Sequence, residues 1–419
     1  MLDTLLIIIA ALALAGVMFE EVLHINKAKI TLFFGTLAWM ILFIASGSPA
    51  ETDAINEGLL HNITEISTLW LFLVAAMTFV AYLNRKGLIA NMLNLIMPSE
   101  ISLKKLMLIT ALFSFCFSSL ADNITATLVS IAMVLSLGLP FNQTMRFAVL
   151  VVFAVNSGGV SLITGDVTTL MIFMQKKVTI TQLFWLLIPS FLAVMVLTGL
   201  LSIGMTGKVK IRKTTYTSNT IDYVIAGIFL STIIATLILN VLFAIPPMLT
   251  FLAGMAIMFL VANHMGEGKD DDQDPIMDYI RYIEFDTLLF FLGVLLLVGM
   301  LEHIEALHSL LYLYQVFPPM TANYLMGAMS ALIDNVPLTA ALLKANIDMS
   351  VSEWMLLTYA VGVGGSLLII GSAAGIVTMS KVKGLSFARY GKYFLLLLMA
   401  YSVGYALVYS VATYIMPIV

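Results

Sequence analysis

The chain has few charged residues and a single cysteine. Charged residues make up 11% of its 419 positions and hydrophobic residues 61%, whereas soluble domains carry roughly 25% charged residues. Cys116 cannot pair within the chain, which excludes a scaffold held by disulfides. The net charge is −4 and basic residues occur only in short loops, so nothing favours nucleic-acid binding.

Motifs for nucleotide-driven or enzymatic chemistry are missing from the sequence. There is no Walker motif, no dinucleotide-binding fingerprint and no nucleophile elbow. The five histidines do not have the spacing of metal ligands. We therefore expect neither ATP-driven transport nor enzymatic activity, and no resident cofactor.

Apolar runs of membrane-spanning length recur along the whole chain. The first run has neither a basic flank nor a small-residue cleavage site, so it is predicted to be a retained helix. About ten to eleven spans and two shorter hairpins are expected by this reading of hydropathy. The predicted fold class is an all-α polytopic membrane protein.

Two pairs of short apolar runs are each interrupted by one Asp-Asn pair. Asp122-Asn123 divides the first pair and Asp334-Asn335 divides the second. Polar backbone at membrane depth is tolerated where it is buried in protein or lines a wet cavity. The pattern therefore predicts two re-entrant helical hairpins with the Asp-Asn pairs at their tips.

Three segments recur in the same order in the second half of the chain. EISTLWLFL from Glu65 matches EFDTLLFFL from Glu284, SSLADNITATL from Ser118 matches SALIDNVPLTA from Ser330, and GGVSLITG from Gly158 matches GGSLLIIG from Gly364. The offsets of 219, 212 and 206 shrink steadily, as expected if loops are shorter in the second half. The chain is therefore predicted to contain an internal repeat.

The charges of the loops predict how the chain is oriented in the membrane. The basic segments 84–105, 206–220 and 381–392 are assigned to the cytoplasm, and the acidic loop 47–66 to the outside. Both termini are then extracytoplasmic. The segment after the first repeat's span is basic and its counterpart after the second is not, which predicts an inverted-topology repeat.

These features divide the chain into four predicted parts. Residues 1–64 form N-terminal scaffold helices, 65–205 the first repeat, 206–283 linking spans and cytoplasmic loops, and 284–419 the second repeat with a final helix.

Carboxylates within apolar segments are the first candidate functional residues. Asp122, Asp166 and Asp334 lie inside hydrophobic stretches, and Glu65, Glu284 and Asp286 lie at the entrances of spans. An ionised carboxylate at bilayer depth costs at least a few kcal/mol, so such residues usually mark an ion or proton path. The alternative is that the aspartates only cap broken helices.

The segment 156–172 interrupts a further span and is rich in glycine and oxygen ligands. Its polar side chains are Asn156, Asp166, Thr168 and Thr169, and its second-half counterpart offers Ser366 and Ser372 but no acid. Carboxylate and neutral oxygens together suit a hard cation. The alternative is that the threonines only satisfy the local backbone.

These motifs resemble the NhaD-type sodium/proton antiporters of the ion transporter superfamily. The resemblance depends on GDVTTLMI, the two Asp-Asn tips, GGSLLIIGSAAGI and LFLVAAMTFV, and it covers residues from about Glu65 to Ser380. It implies transport hairpins, broken helices, a homodimer and a set of matching site residues. The matching residues are Asp122, Asn123, Asn156, Asp166, Thr168, Thr169, Asp286, Ser330, Asp334 and Asn335.

The chain departs from the family pattern at several positions. Leu162, Ile163 and Thr164 precede GDVTT where the family often has Ser-Pro-Ile, Ala81 stands where it often has Glu, and Ile369 where it commonly has Ser.

The leading hypothesis is exchange of Na⁺ or Li⁺ for H⁺ across a bacterial cytoplasmic membrane. Buried carboxylates hold protons more readily than exposed ones, while a bound cation favours the charged form. Na⁺ and H⁺ would then compete at Asp122, Asp166 and Asp334. The alternatives are a sodium-coupled carboxylate or oxyanion symporter and an arsenite-type permease.

Overall fold

The computed structural model describes most of the chain. The described residues are 2–18, 25–89, 91–92, 98–210, 217–265, 280–281, 283–307, 311–345 and 347–415. The last residues of the chain and residues 211–216 of the predicted cytoplasmic loop lie outside this set.

The described residues are predominantly helical, and their helices are numbered here in chain order. They are α1 Leu2–Met18, α2 Lys27–Ala45, α3 Pro49–Arg85, α4 Leu103–Leu120, α5 Asn123–Ser136, α6 Phe141–Gly159, α7 Val167–Met174, α8 Ile180–Phe184, α9 Leu187–Ser202, α10 Thr220–Phe243, α11 Pro247–Met265, α12 Phe285–His303, α13 Leu311–Val316, α14 Pro319–Ser330, α15 Asn335–Lys344, α16 Val351–Gly364, α17 Ala373–Lys381, α18 Phe387–Gly391 and α19 Phe394–Ser410. Two three-residue strands, β1 Glu100–Ser102 and β2 Lys208–Lys210, pair antiparallel.

Eight helical segments among the described residues are long and apolar enough to cross a membrane. They are Lys27–Ala45, Pro49–Arg85, Leu103–Leu120, Ile180–Ser202, Thr220–Phe243, Pro247–His264, Phe285–His303 and Phe394–Ile415. A bilayer core about 30 Å thick needs about 20 residues of helix, which these segments provide. The prediction of an all-α, multi-pass membrane protein is confirmed.

The chain forms two compact units. One contains Ser67–Leu106 and Thr206–Leu288, and the other contains Met1–Ile66, Met107–Met205 and Leu289–Val419. The four predicted parts, with boundaries after residues 64, 205 and 283, stay a prediction.

The smaller unit, Ser67–Leu106 with Thr206–Leu288, is built around α10 and α11. These helices pack closely where Gly254 meets the side chain of Thr232. Asp222 is buried near the start of α10 and accepts a hydrogen bond of 2.6 Å from the Tyr82 hydroxyl. This acid is therefore held within its own unit by a local polar contact.

The larger unit contains two pairs of short helices and two interrupted helices. A two-residue connection joins α4 to α5, and a four-residue connection joins α14 to α15. The chain is not helical between α6 and α7 or between α16 and α17. The packing is crosswise, because α17 lies against α5 whereas α15 lies against α7.

Equivalent glycines make equivalent contacts in this unit. A methyl group on Gly158 of α6 would clash with the Phe115 carbonyl of α4, and one on Gly364 of α16 would clash with the Gly327 carbonyl of α14. Phe115 and Gly327 are 212 positions apart, the offset that also relates Ser118 to Ser330. Only glycine lets two backbones approach this closely.

Candidate functional site

The four helices that follow a hairpin tip or a helix interruption in the larger unit each begin at a polar side chain that accepts a hydrogen bond from the first turn. These N-cap residues are Asp122 before α5, Asp166 before α7, Asp334 before α15 and Ser372 before α17. A helix N-terminus carries partial positive charge and free N–H donors, which stabilise a carboxylate. All three aspartates are therefore N-caps, and they differ in the contacts made by the carboxylate oxygen that does not accept the capping hydrogen bond.

Asp122 uses both carboxylate oxygens within its own helix. Its Oδ1 accepts from the Thr125 N–H at 2.9 Å and its Oδ2 from the Thr125 hydroxyl at 2.7 Å. The neighbouring Asn123 Oδ1 accepts from the Ser118 hydroxyl at 2.8 Å. The polar side chains of this tip are thus hydrogen-bonded locally.

Asp334 divides its carboxylate between a cap and a distant cation. Its Oδ1 accepts from the Val336 N–H at 3.3 Å, and its Oδ2 lies 2.9 Å from Lys27 Nζ at the start of α2. The Asp334 side chain is only 3% exposed. Asn335, the next residue, is buried as well. This second tip is therefore neutralised by a lysine from outside the hairpin.

Asp166 keeps one oxygen for a ligand. Its Oδ1 accepts from the Thr168 N–H at 3.1 Å, and the side chains of Thr168 and Asn123 interact with the carboxylate. Its buried Oδ2 has no partner within hydrogen-bond geometry among the described residues. An added methyl on Gly362 of α16 would lie 3.5 Å from Oδ2, so the end of α16 borders this atom. The helix that follows Asp334, α15, packs against the helix that follows Asp166, α7.

Neutral oxygens without partners lie in the interruption that contains Asp166 and in the helix ends on either side of it. Asn156 donates from Nδ2 to the Ser372 hydroxyl at 2.9 Å, which leaves its buried Oδ1 without a partner among the described residues. The buried hydroxyls of Ser157, Ser161 and Thr169 are unpaired in the same sense. Buried polar atoms are normally hydrogen-bonded, so this set is consistent with a site for a small polar ligand.

Two serines of the candidate set brace the second interruption. The Ser330 hydroxyl donates to the Val361 carbonyl at 2.7 Å, and the Ser366 hydroxyl donates to the Val363 carbonyl. Tyr390 donates to the Ser366 carbonyl at 2.7 Å. These contacts occupy the hydroxyl protons and tie the backbone of α16 to α14.

The residues at the span entrances have other surroundings. Glu65 lies 2.6 Å from Lys344 Nζ, accepts from the Gln175 amide at 2.7 Å and lies 3.4 Å from His61 Nε2. Lys344 also reaches Glu302 at 3.0 Å. Glu65 is thus part of a separate charged network at the end of α15. Glu284 and Asp286 belong to the smaller unit.

Sequence reasoning missed Lys27, Ser157, Ser161 and Lys344 as members of these clusters. One signal was available for Lys27, because Pro337 in the second tip stands where Thr125 stands in the first. Proline has neither an N–H nor a hydroxyl, so Asp334 lacks both local donors that hold Asp122. A distant donor for Asp334 could have been expected from this difference.

The multi-pass helical fold, with a buried carboxylate beside unpaired oxygens at two helix interruptions, is that of a membrane transporter. The family model described as "CitMHS: Citrate transporter" matches residues 2–362. The chain is 30% identical to the Na(+)/H(+) antiporter NhaD of Vibrio cholerae, over 90% of this chain and 85% of that protein. It is also 30% identical to the Na(+)/H(+) antiporter NhaD of Alkalimonas amylolytica, over 90% and 84%. Sodium/proton antiporter 1 of Arabidopsis thaliana is 29% identical over 93% and 71%.

The chain therefore belongs to the CitMHS transporter family and, by its identity with these relatives over nearly its whole length, to the NhaD-type antiporters. The family predicted from the sequence motifs is confirmed.

Proposed function

We propose that this protein exchanges Na⁺, or Li⁺, for H⁺ by alternating access. The observation that carries this proposal is the unpartnered Oδ2 of Asp166 in a helix interruption lined by unpaired neutral oxygens. The NhaD relatives are named as Na⁺/H⁺ antiporters, which agrees with this chemistry.

The charge of the proposed site suits a monovalent cation. One carboxylate oxygen is unpaired, and the other unpaired atoms are amide and hydroxyl oxygens, with Asn156 Oδ1 and the Thr169 hydroxyl as the main candidates. No group of three His, Cys, Asp or Glu side chains that could hold a metal ion occurs among the described residues. Multivalent cation sites usually gather several carboxylates.

Competition for Asp166 would couple the two ions. When Asp166 is protonated it offers no charge to a cation, and when it binds Na⁺ the charged form is stabilised and the proton is excluded. If the site opens to one side at a time, each cation that leaves is replaced by protons on the return step. This converts competition at a carboxylate into exchange.

The predicted inverted repeat and membrane depth of the hairpins are part of the proposal. The matching glycine contacts of Gly158 and Gly364 and the crosswise packing of α5 with α17 and α7 with α15 support them. In such folds, substrate sites lie where the interrupted helices of both repeats meet. Asp122, Asn123, Ser330, Asp334 and Asn335 would then shape the tips beside the site.

The alternative substrates fit the site less well. The family model carries the description "Citrate transporter", but citrate is an anion and would meet the carboxylates of Asp166 and Asp122. A sodium-coupled carboxylate symporter would need cationic or neutral groups at this place. An arsenite-type permease would not need the unpaired charge of Asp166.

The experiment that tests the function is cation-driven proton movement in proteoliposomes. Proteoliposomes are prepared with the purified protein in the membrane and a pH-sensitive dye in the lumen. When Na⁺ or Li⁺ is added outside, the cation should enter as protons leave, and the lumen should become alkaline. K⁺ and citrate serve as comparison substrates. Proton movement that depends on citrate and not on Na⁺ would contradict antiport.

We also propose the cellular setting. The protein would lie in a bacterial cytoplasmic membrane with both termini outside, form a homodimer, need no cofactor, and have no nucleic-acid partner. A homodimer agrees with the resemblance to the NhaD-type antiporters.

The proposed orientation predicts the accessibility of single cysteines. In a Cys116→Ser background, Ser48→Cys should react with an impermeant thiol reagent added to intact cells, and Lys210→Cys only after the membrane is opened. Loop charge is the physical reason, since basic loops stay in the cytoplasm. Labelling of Lys210→Cys from outside would reverse the topology.

A further inference from the structure

Among the described residues, Lys27 is the one basic side chain in direct contact with a hairpin-tip carboxylate, that of Asp334. Its Nζ lies 2.9 Å from Asp334 Oδ2, with the side chains 15% and 3% exposed. It also lies 4.2 Å from the centre of the Phe290 ring. The two partners are 307 residues apart in sequence, so the contact depends on the packing of α2 against the hairpin.

The position of Lys27 is unfavourable for its own helix. Lys27 is the first residue of α2, where the helix dipole favours negative charge. Asn26 already caps this end by accepting from the Ala28 N–H at 2.8 Å. Lys27 therefore contributes nothing to starting the helix, and its charge is stabilised by Asp334 and the Phe290 ring.

A buried ion pair is weak evidence for a purely structural role. Desolvation of both charges offsets most of their attraction, and apolar replacements of the pair are often neutral or stabilising. Lysine is a point charge on a flexible stem, unlike the rigid fork of arginine. The Phe290 ring, which Lys27 already contacts, still stabilises the lysine charge if Asp334 is taken by another cation.

We propose that Lys27 is a resident cation that occupies Asp334 when no transported ion is bound and competes with Na⁺ for that carboxylate. This inference rests on the Na⁺/H⁺ exchange proposed above. It gives Lys27 a role that is separate from cation binding at Asp166. While Lys27 holds Asp334, Asp166 alone attracts the cation. When Na⁺ is bound, Lys27 leaves Asp334 and keeps its contact with the Phe290 ring, and Asp334 can add its charge to the site. On the return step, Lys27 re-occupies Asp334 and helps to expel Na⁺.

The test compares Lys27→Met with Lys27→Arg and with Lys29→Met, an exposed lysine on the same helix. Na⁺ binding is measured by thermal stabilisation of the purified protein, which needs no transport, and exchange is measured in proteoliposomes. Lys27→Met should bind Na⁺ on the order of tenfold more tightly, as expected for one unit charge removed from a buried site. Its maximal exchange rate should fall, because release is slower. Lys29→Met should bind Na⁺ like the wild type, and Lys27→Arg, which keeps the positive charge, should not gain affinity.

A second pair of variants separates competition from simple anchoring. Asp334→Asn removes the carboxylate for which Lys27 and Na⁺ are proposed to compete and should weaken Na⁺ binding by on the order of tenfold. Adding Lys27→Met to Asp334→Asn should then change Na⁺ binding little, whereas the same substitution tightens binding when Asp334 is present. Such non-additivity is the signature of two residues that act on each other. The double variant also contains no unpaired charge, so it remains informative if Lys27→Met alone does not fold.

The outcomes distinguish this inference from the proposed function. Unchanged Na⁺ affinity in folded Lys27→Met, or the same gain from Lys27→Met with and without Asp334, would contradict competition for Asp334 while leaving antiport intact. Absence of Na⁺-dependent proton movement in both the wild type and Lys29→Met would instead overturn the antiport proposal itself.

Discussion

Asp166→Asn is expected to cause the largest loss of Na⁺ binding of any single conservative substitution. Asparagine keeps the shape and the cap to the Thr168 N–H but removes the charge at the unpartnered oxygen. A unit charge about 4 Å from a cation is worth ~4 kcal/mol at an effective dielectric constant near 20. Even after partial compensation, apparent Na⁺ affinity should fall by on the order of a hundredfold. Thermal stabilisation by Na⁺ and Na⁺-dependent proton flux measure this loss.

The pH dependence should change in the same variant. Asp166 is the group at which H⁺ and Na⁺ are proposed to compete, so its removal leaves the residual Na⁺ response less sensitive to pH. In the wild type, lowering the pH at fixed Na⁺ should reduce exchange because protons displace the cation. Flux measured across a range of pH in both proteins tests this difference.

Asp122→Asn is the matched control for Asp166→Asn. Both changes are chemically identical, both residues cap a helix, and asparagine is a good N-cap. Asp122 already uses both oxygens for Thr125, so its replacement should change Na⁺ affinity far less. Equal effects of the two substitutions would contradict the assignment of Asp166 as the direct ligand.

Gly158→Ala and Gly364→Ala are expected to prevent correct packing of the larger unit. Each added methyl would overlap a backbone carbonyl, that of Phe115 in one case and that of Gly327 in the other. Backbone atoms in a packed helix pair cannot move aside as a flexible side chain can, and overpacking costs about 1–3 kcal/mol or more. Yield of folded protein and thermal unfolding in detergent should both fall sharply.

Gly199→Ala is the control for the glycine variants. A methyl at Gly199 in α9 meets nothing within 4 Å, and alanine is the better helix former by about 1 kcal/mol. This variant should be as stable as the wild type or slightly more so. Similar instability of all three variants would show that the close backbone approach is not the cause.

Local sequence patterns were sufficient to find the elements of the fold and several site residues. Hydropathy located the membrane helices, because burial in lipid requires long apolar runs whatever their neighbours are. The Asp-Asn pairs at Asp122 and Asp334 marked helix ends, since these side chains accept hydrogen bonds from the next turn. Asp166 and Ser372 stood out through the repeat, and both begin helices after an interruption.

The tertiary structure alone showed which of these oxygens remain unpaired. Asn156 contacts Ser372, which is 216 residues away in sequence, and Lys27 contacts Asp334, which is 307 residues away. Local periodicity does not indicate contacts between residues so far apart in the chain. Spacing along a helix or strand determines which side chains share a face, but contacts between remote segments depend on how helices pack. For this reason the sequence named Asp122 and Asp334 as matching tip residues and Asp166 as the acid without a counterpart, whereas packing determined which contacts each carboxylate makes.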